Sequence, residues 1–376
     1  MLTPSRGPGP ARDLVLHIGS SKTGSKSVQW FLRRNRRRLA KLGYLYPQAP
    51  GAARHIRLGL LIKSDADLEA SILWQRERER RNGVEPAAFR EEFRLELLRE
   101  VDESGLSRVL LSDESLYNQP NESALRRLRR LTGEVATRLR LLVYLRRQDD
   151  HLISRYQQSV RTRAEVRRLD EFACQDRVMP YDYYARLRAW ERLLQPDEFI
   201  VRRFEREGFV GGSLVADFLD AADVDVRAED LEQIPRRNES LDAESVEFLR
   251  LFNLYRIECE GATLDFTDNQ EAVARLIEAS SGPLLTLPGR FLDDFMAQWE
   301  HSNRAVAQHY LGDASGELFR MPRRTDHTTT KQHLDPARLD HYVTLLELPE
   351  RMRQPLRRLV EREARATDAP LWRAVT

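Results

Sequence analysis

The stretch that decides the fold is LVLHIGSSKTGSKSVQWFL, residues 14–32. Its first five residues are an apolar run, which predicts a buried strand. Residues 19–25 are small or polar and include two glycines, which predicts a loop. From Val28 onward apolar residues recur at helical spacing until Gly43, a residue type that often follows a helix C-terminus. The sequence therefore predicts a strand, a loop and a helix in that order.

The same alternation continues along the first 225 residues. Further strands are predicted at 108–111, 139–145 and 199–201, with helices at 67–82, 86–102, 121–132, 149–160, 181–194 and 214–219. Strands that alternate with helices predict an α/β fold, a parallel sheet flanked by helices on both faces. Beyond residue 225 only helices are predicted, at 242–259, 268–280, 290–311 and within 336–366, with a polar loop at 320–330. We expect a flexible tail at 1–12, an α/β core at 13–225 and a mostly helical C-terminal part at 226–376.

Composition limits the classes of function. The 376 residues are 41% hydrophobic and 32% charged, which is enough apolar material for a packed core and excludes a wholly disordered chain. Two cysteines exclude a disulfide scaffold. No apolar run reaches the ~18 residues of a membrane span, and residues 1–13 lack the apolar segment of a secretory signal, so a cytoplasmic protein is expected. The 61 basic and 59 acidic residues nearly balance, which argues against a nucleic-acid partner.

The loop at 19–25 has the properties of a phosphate-binding loop. Ligands of parallel sheets bind beyond the carboxyl ends of the strands, where this loop lies. Small residues allow backbone N–H groups to approach an anion, and the following helix N-terminus adds about half a positive charge. Lys22 adds a full charge, and Ser25 and Ser27 add hydroxyls. Only five lysines occur in the chain, and two of them, Lys22 and Lys26, lie here. The alternative is an ordinary strand-to-helix turn with a surface lysine.

The phosphate-binding loop of a P-loop NTPase is one interpretation of this segment. The P-loop pattern is G-x-x-x-x-G-K-[ST]. Here Gly24 is followed by Ser25, and the lysine arrives one residue late, at position 26. A shift of one residue turns a side chain by about 100° around a helix. The second predicted strand ends in Asp113 and Glu114, as a metal-binding strand of such NTPases would. An ATP- and Mg²⁺-dependent small-molecule kinase therefore stays open as an alternative.

A second motif follows the strand at 139–145. Arg146 stands at the carboxyl end of this strand, and Ser154 lies about two turns into the next helix. Because strand and helix run antiparallel, both side chains can converge on one phosphate, where arginine supplies a charged fork and serine a hydroxyl. The alternative is a helix start at which Asp149 and Asp150 favour the dipole and Arg146 forms a nearby salt bridge.

Together the two motifs resemble those of the sulfotransferases that use 3′-phosphoadenosine 5′-phosphosulfate (PAPS). The 5′-phosphosulfate loop of that family reads P-K-[ST]-G-[ST]-[ST], with the lysine two residues before the glycine, as Lys22 stands before Gly24. The 3′-phosphate motif, R-x7-S, matches Arg146 and Ser154. Ser21 replaces the usual proline, and Lys26 replaces a hydroxyl residue.

The resemblance covers residues 14–220 and implies a P-loop-type fold with PAPS as co-substrate and no metal. It implies that the 5′-phosphosulfate is bound by Ser21, Lys22, Thr23, Gly24, Ser25, Lys26 and Ser27, and the 3′-phosphate by Arg146 and Ser154. The glycine-rich motif R-K-G-x-x-G-D-W of the animal cytosolic enzymes is absent. Arg320, Arg323 and Arg324 are the candidates for the far side of the nucleotide.

The chemistry of sulfuryl transfer suggests the catalytic groups. Lys22 is expected to stabilise charge on the bridging oxygen as the adenosine bisphosphate leaves. The acceptor hydroxyl or amine needs a base, for which His55 ranks first and Glu114, with its neighbour Asp113, second. His327 is a further candidate for substrate contact. The alternatives to a catalytic role are that His55 is an exposed polar residue and that Glu114 caps a helix or forms a salt bridge.

The acceptor and other partners stay open at this level. A glycan, a lipid or a small metabolite fits the C-terminal part as acceptor. The arginine cluster at 33–38 is either a solvated helix face or a surface for an anionic acceptor or a membrane. A non-enzymatic module that binds partners through this helix is the third interpretation, and the oligomeric state is open.

Overall fold

A computed structural model describes residues 11–118, 121–175, 181–233, 240–263 and 269–366. Its centre is a five-stranded, entirely parallel sheet in the order β2-β3-β1-β4-β5. The strands are β1 (Asp13–His17), β2 (Tyr44–Leu45), β3 (Arg108–Ser112), β4 (Arg138–Leu145) and β5 (Glu198–Arg203). The predicted α/β class, a parallel sheet flanked by helices, is therefore confirmed.

Helices connect these strands as crossovers. Between β1 and β3 lie α1 (Ser25–Lys41), α2 (Ile56–Ile62), α3 (Asp65–Glu69), α4 (Ile72–Arg80) and α5 (Pro86–Ser104). Between β3 and β5 lie α6 (Glu122–Val135), α7 (Gln148–Thr162), α8 (Leu169–Gln175) and α9 (Tyr183–Leu194). Side chains at the helix starts hold several of them in place: Asn121 accepts the Ala124 N–H at 2.9 Å, and Asp182 accepts the Ala185 N–H at 3.0 Å.

The β1 strand is buried on both faces, as its continuous apolar sequence predicts. Leu14 and Leu16 have no exposed surface, and Val15, on the opposite face, packs in a cluster with Phe31 and Leu32 of α1. α10 (Leu214–Ala221) packs against α1, and α6 packs against α5 and α9. These contacts fix the start of α1 relative to the end of β1.

The chain divides into two compact units that interleave along the sequence. One comprises described residues within 1–146, 180–235 and 301–321 and contains the five-stranded sheet. The other comprises described residues within 147–179, 236–300 and 322–376. The sequence predicts a single boundary at 225 instead. The difference arises because α7, which follows β4 directly, groups with the later helices, whereas 301–321 groups with the sheet.

The second unit is mostly helical. It holds α7, α8, α11 (Ala243–Glu260), α12 (Gln270–Ala279), α13 (Gly289–Ala297), α15 (Leu339–Leu345) and α16 (Glu350–Ala366). A short parallel pair, β6 (Leu284–Leu285) and β7 (Thr328–Thr329), joins two of its loops. At its centre Arg250 is almost completely buried and paired with Glu247 at 2.7 Å and with Glu363 at 2.9 Å.

Most predicted elements agree with the structure within two or three residues, and the differences are local. The predicted helix at 67–82 is α3 and α4, separated near Ser71, and the predicted helix at 290–311 is α13 and α14 (Glu300–Leu311). The short elements β2, α2, α8, β6 and β7 were not predicted, because each has too few residues to show a period. None of the helices in the described residues has an apolar stretch of the length that spanning a bilayer requires.

Candidate functional site

The strand order marks one place on the sheet as the favoured ligand site. β1 lies between β3 and β4. The chain leaves β1 toward β2 on one side and leaves β4 toward β5 on the other. In parallel sheets, ligands bind beyond the carboxyl ends of two adjacent strands whose connections diverge in this way. The loop at 19–24 follows β1, and Arg146 follows β4, so both predicted motifs start at this point.

The loop after β1 is held in a conformation that few side-chain-bearing residues adopt. Lys22 is left-handed, with φ 62°, and Gly24 is left-handed, with φ 73°. The Thr23 hydroxyl donates a hydrogen bond to the Ser20 carbonyl at 2.5 Å, so this side chain is turned into the loop. Left-handed residues help to form concave main-chain loops whose N–H groups bind anions. Strain of this kind persists where the surroundings enforce it, and it is common at ligand sites.

The helix that begins at Ser25 presents an uncapped N-terminus to this loop. No side chain caps α1, and its first turn contains no acidic residue. The first N–H groups of a helix have no intrahelical acceptor, and they carry the positive end of the helix dipole. The helix start is therefore left open for an anion.

Ser25 adds an unsatisfied hydroxyl at the same place. Its side chain is only 2% exposed, and its Oγ has no hydrogen-bond partner among the described residues. A Cβ at Gly19 would lie 2.4 Å from this Oγ, so only glycine allows the close approach. A buried hydroxyl without a partner is costly, which indicates that a ligand or water completes it.

The two predicted motifs adjoin within the sheet unit. The Arg146 guanidinium donates a hydrogen bond from Nη1 to the Lys22 carbonyl at 3.1 Å. Its Cζ also lies 5.8 Å from the ring centroid of Phe204, and the Tyr183 hydroxyl donates to the Arg146 carbonyl at 2.7 Å. The Arg146 side chain therefore contacts the phosphate-type loop directly.

The remaining predicted binding residues take different positions. Lys26 and Ser27 are exposed on the first turn of α1, and Ser21 is half-buried. Ser154 is half-buried on α7, and its hydroxyl has no hydrogen-bond partner among the described residues. It belongs to the other compact unit, so its convergence with Arg146 stays a prediction.

The three candidate arginines for the far side of the nucleotide all carry carboxylate partners. Arg320 pairs with Asp313 at 2.6 Å, and Arg324 lies 3.2 Å from Asp326. Arg323 pairs with the fully buried Asp149 at 2.9 Å. Burial favours the protonated form of Asp149, but the Arg147 and Arg323 guanidinium groups outweigh it and lower the pKa of this carboxyl. These arginines have structural partners, which weakens their case as nucleotide ligands.

His55, the first-ranked base, lies in a structural position. It is fully buried and stacks on Tyr46 with ring centroids 4.2 Å apart. Its Nδ1 accepts the Ser112 N–H at 3.1 Å, which leaves the proton on Nε2, 3.0 Å from the Pro47 carbonyl. Burial lowers its pKa to about 3. With both ring nitrogens engaged, His55 has no lone pair to receive a proton from an acceptor, and this geometry argues against the expected role.

Glu114 is the better-placed candidate base. It follows β3, the neighbour of β1, and its side chain is 22% exposed. Its Oε1 lies 3.7 Å from Nη1 of Arg54. A partly exposed carboxylate at the carboxyl edge of the sheet is able to contact a hydroxyl from solvent, as a base must.

Asp113 is fully occupied by protein groups. Its Oδ1 accepts Arg54 Nε at 2.7 Å and the Ser115 N–H at 3.1 Å. Its Oδ2 accepts the Ser115 hydroxyl at 2.6 Å and the Gly59 N–H at 3.1 Å. Burial lowers the pKa of Arg54, but Asp113 and Glu114 more than offset this, so the net shift is upward. Asp113 thus ties α2 and the loop before it to β3, a role that the sequence did not reveal.

A further buried network lies directly beneath the loop. His17 is 1% exposed, with Nδ1 2.9 Å from the Ser112 hydroxyl. Gln29 of α1 donates to the same hydroxyl at 3.2 Å. Burial lowers the pKa of His17 to about 4, so the ring is neutral at physiological pH. The network links β1, β3 and α1, the three elements that position the loop.

The arginine cluster of α1 divides into inward and outward members. Arg36 points inward, where Nε donates to the Tyr46 carbonyl at 2.7 Å and Nη2 to the Ala52 carbonyl at 2.8 Å. Arg34 pairs with Glu232. Arg33 covers Trp30, which is 52% exposed, with Cζ 4.7 Å from the ring. The outward face of the helix is strongly basic.

Comparisons with known proteins do not indicate an activity for this chain. No family model matches the sequence, and no solved structure matches it. A protein of Archaeoglobus fulgidus described as an uncharacterized protein is 29% identical over 223 residues. The match covers 56% of this chain and 58% of that protein, so the chain spans little more than half the length of the relative. The functional argument therefore depends on the residues themselves.

Proposed function

We propose that this chain is a sulfotransferase that moves a sulfuryl group from PAPS to a hydroxyl or amine of an acceptor. The observation that carries the proposal is the hydrogen bond from Arg146 to the Lys22 carbonyl. The sequence singled out these two segments separately, 124 positions apart, for the two ends of one nucleotide. A ligand that carries phosphate at both ends has to contact both segments, and the two segments lie side by side beyond β1 and β4.

The loop side chains have distinct roles in this proposal. The first-turn N–H groups of α1 and the Ser25 hydroxyl bind the 5′-phosphosulfate, and Lys22 stabilises the negative charge that develops on the bridging oxygen. Arg146 and Ser154 bind the 3′-phosphate. Catalysis then follows mainly from positioning and electrostatics, as in phosphoryl transfer.

The reaction needs one proton acceptor, for which we propose Glu114. The acceptor oxygen attacks sulfur, the bond from sulfur to the 5′-phosphate oxygen breaks, and the acceptor proton passes to the carboxylate. Adenosine 3′,5′-bisphosphate leaves with the bridging electron pair. A positioned base of this type contributes about 100- to 10,000-fold in rate.

The contacts of Asp113 favour this reaction over the kinase alternative. A kinase would use a strand-end carboxylate to hold Mg²⁺, directly or through water. Both oxygens of Asp113 instead accept bonds from protein donors, and one donor is a guanidinium cation at 2.7 Å. Lys26, the lysine that a kinase loop would need, is exposed on α1.

The test is ligand stabilisation measured by thermal unfolding. Adenosine 3′,5′-bisphosphate at 100 times its dissociation constant stabilises the protein by about 2.7 kcal/mol. AMP, which lacks the 3′-phosphate, should bind at least about tenfold more weakly, because a hydrogen bond to a charged group is worth about 1.5–3 kcal/mol. Lys22→Ala should weaken both ligands, whereas Lys41→Ala, at the far end of α1, should weaken neither. Stabilisation by ATP–Mg²⁺ without any by the bisphosphate would transfer the assignment to the kinase.

A further inference from the structure

Arg186 is a half-buried arginine whose guanidinium has no carboxylate partner among the described residues. It lies in the first turn of α9, where its backbone N–H donates to the Asp182 carbonyl at 3.1 Å, but its guanidinium makes no hydrogen bond or ion pair with any residue that the structure describes. Other arginines with similarly covered side chains in the sheet unit are paired, such as Arg54 with Asp113 at 2.7 Å and Arg140 with Glu198 at 2.9 Å. Burial without a counter-charge lowers the pKa of Arg186 and is costly.

The carboxylate best placed to pair with Arg186 is used elsewhere. Asp182 precedes it by four residues, a spacing at which acid and arginine commonly pair on a helix. The Asp182 Oδ1 instead accepts the Ala185 N–H at 3.0 Å and the Ser302 hydroxyl at 2.8 Å. Asp182 therefore caps the start of α9 and forms no ion pair with the Arg186 guanidinium.

Beside Arg186 lies a second unsatisfied donor. Cζ of Arg186 is 6.0 Å from the ring centroid of Tyr117, which is fully buried. The Tyr117 hydroxyl has no hydrogen-bond partner among the described residues. The carbonyl of Tyr117 accepts Nε1 of Trp190 at 3.4 Å, and Trp190 is one turn after Arg186 on the same face of α9. The Arg186 guanidinium thus lies over the ring of a tyrosine whose buried hydroxyl has no hydrogen-bond partner among the described residues.

The pair lies at the same edge of the sheet as the proposed nucleotide site. Tyr117 follows Glu114 by three residues, just beyond the end of β3. Tyr183, one turn before Arg186, donates its hydroxyl to the carbonyl of Arg146 at the end of β4. The candidate base Glu114 and the candidate nucleotide ligand Arg146 are therefore chain neighbours of the two elements that hold the pair.

We propose that Arg186 and Tyr117 form an acceptor subsite that binds an oxyanion, a carboxylate or a sulfate, carried by the acceptor. This inference rests on the proposed function. A guanidinium fork donates hydrogen bonds to two oxygens of such a group, and the phenol hydroxyl donates to one of them. The acceptor is then an anionic hydroxyl compound rather than a neutral one, and its charge is held apart from the oxygen that receives the sulfuryl group.

The first experiment needs no ligand. Arg186→Met replaces an unpaired cation by an apolar side chain of similar length, so the melting temperature of the unliganded protein should rise by about 1–3 °C. Arg140→Met, which removes a paired arginine, should lower it. A fall for Arg186→Met as large as that for Arg140→Met would show that Arg186 is structural, and would overturn the proposal.

The second experiment tests binding, with adenosine 3′,5′-bisphosphate present at saturation so that the phosphate loop is occupied. Glucuronate and 4-hydroxybenzoate are compared with glucose and 4-hydroxybenzyl alcohol, their neutral counterparts, by calorimetry. The anionic probes should bind wild type more tightly than the neutral ones, and Arg186→Gln should weaken them at least about tenfold, the loss of a charge-assisted pair. Tyr117→Phe should weaken them less. Arg188→Gln, two residues away and exposed, should change nothing.

The outcomes separate this subsite from the nucleotide site. Equal binding of anionic and neutral probes, no binding of either by wild type, or anionic binding that survives Arg186→Gln overturns the subsite. None of these results touches the affinity for the bisphosphate, which Arg186→Gln should leave unchanged. Failure of the bisphosphate to bind wild type refutes the proposed function instead.

Discussion

Gly24→Ala is the substitution that most directly tests how the phosphate-type loop is built. Gly24 has φ 73°, a conformation that costs an alanine about 1–2 kcal/mol. The new Cβ would also lie 2.2 Å from Cδ2 of Leu214 on α10 and 3.3 Å from Cε2 of Phe204, so both must shift. Overpacking of this kind costs about 1–3 kcal/mol. Alanine restricts the unfolded chain, which returns about 0.4–1 kcal/mol. We expect the free energy of unfolding to fall by about 1–4 kcal/mol.

Gly105→Ala is the matched control because it isolates the backbone cost. Gly105 ends α5 with φ 64°, close to the value at Gly24, and an added Cβ there meets nothing within 4 Å. Urea unfolding at neutral pH should show that Gly24→Ala is the more destabilising change by about 1–3 kcal/mol, which is the packing contribution alone. Only Gly24→Ala should weaken binding of adenosine 3′,5′-bisphosphate, because the new Cβ clashes with Leu214 of α10 and displaces the loop. Equal destabilisation by the two changes would refute the packing argument, and unchanged affinity in Gly24→Ala would refute the role of the loop.

Three further outcomes are expected. Asp113→Ala should lower the free energy of unfolding by about 2–4 kcal/mol, less than the loss of a wholly buried ion pair because Arg54 is partly exposed. The substitution should not change how the activity depends on Mg²⁺. A Mg²⁺-dependent activity that Asp113→Ala abolishes without loss of stability would support the kinase. His17 and His55 have pKa values lowered to about 4 and about 3, so below about pH 6 the unfolded chain binds protons that the folded chain excludes, and stability falls with falling pH by about 1.4 kcal/mol per unit for each. Urea unfolding at several pH values should show that stability changes less steeply with pH in His55→Gln than in wild type. His301→Gln, at an exposed position, should keep the wild-type pH dependence. An unchanged pH dependence in His55→Gln would contradict this. Cosedimentation should show salt-sensitive binding to phosphatidylserine vesicles, not to phosphatidylcholine vesicles, that is lost in Arg33→Glu; equal binding to both would refute a membrane role for the basic face of α1.

The sequence predicts the sheet because its strands are long apolar runs with helices between them. Residues 14–18 and 139–145 are buried in the structure nearly as expected, since a strand covered on both faces must be apolar throughout. The strand order and β2 are not encoded in any local period. β2 has two residues, and its pairing with β3 depends on a segment more than sixty positions away. Such pairings follow from tertiary packing.

The candidate site divides in the same way. Lys22, Gly24 and Arg146 can be singled out from the sequence because each belongs to a local motif with fixed spacing. The ring of His55 was misjudged because residue type and position suggested a base, whereas its partners at Ser112 and Pro47 are set by folding. Arg186 gave no signal at all, since an arginine in a helix is usually paired or solvated and only the contacts of Asp182 show otherwise.

The double role of Arg146 determines which variant tests the nucleotide clamp. Its guanidinium supports the loop through the Lys22 carbonyl, so Arg146→Ala should disturb the 5′-phosphate site as well as the 3′-phosphate site. We therefore expect Arg146→Ala to weaken both AMP and adenosine 3′,5′-bisphosphate. Ser154 makes no such bond, so Ser154→Ala should weaken only the bisphosphate, by about tenfold, and leave AMP unchanged. Calorimetry with both ligands distinguishes the two patterns. If Ser154→Ala weakens neither ligand, the serine does not contact the 3′-phosphate, and the clamp reduces to the loop and the arginine that supports it.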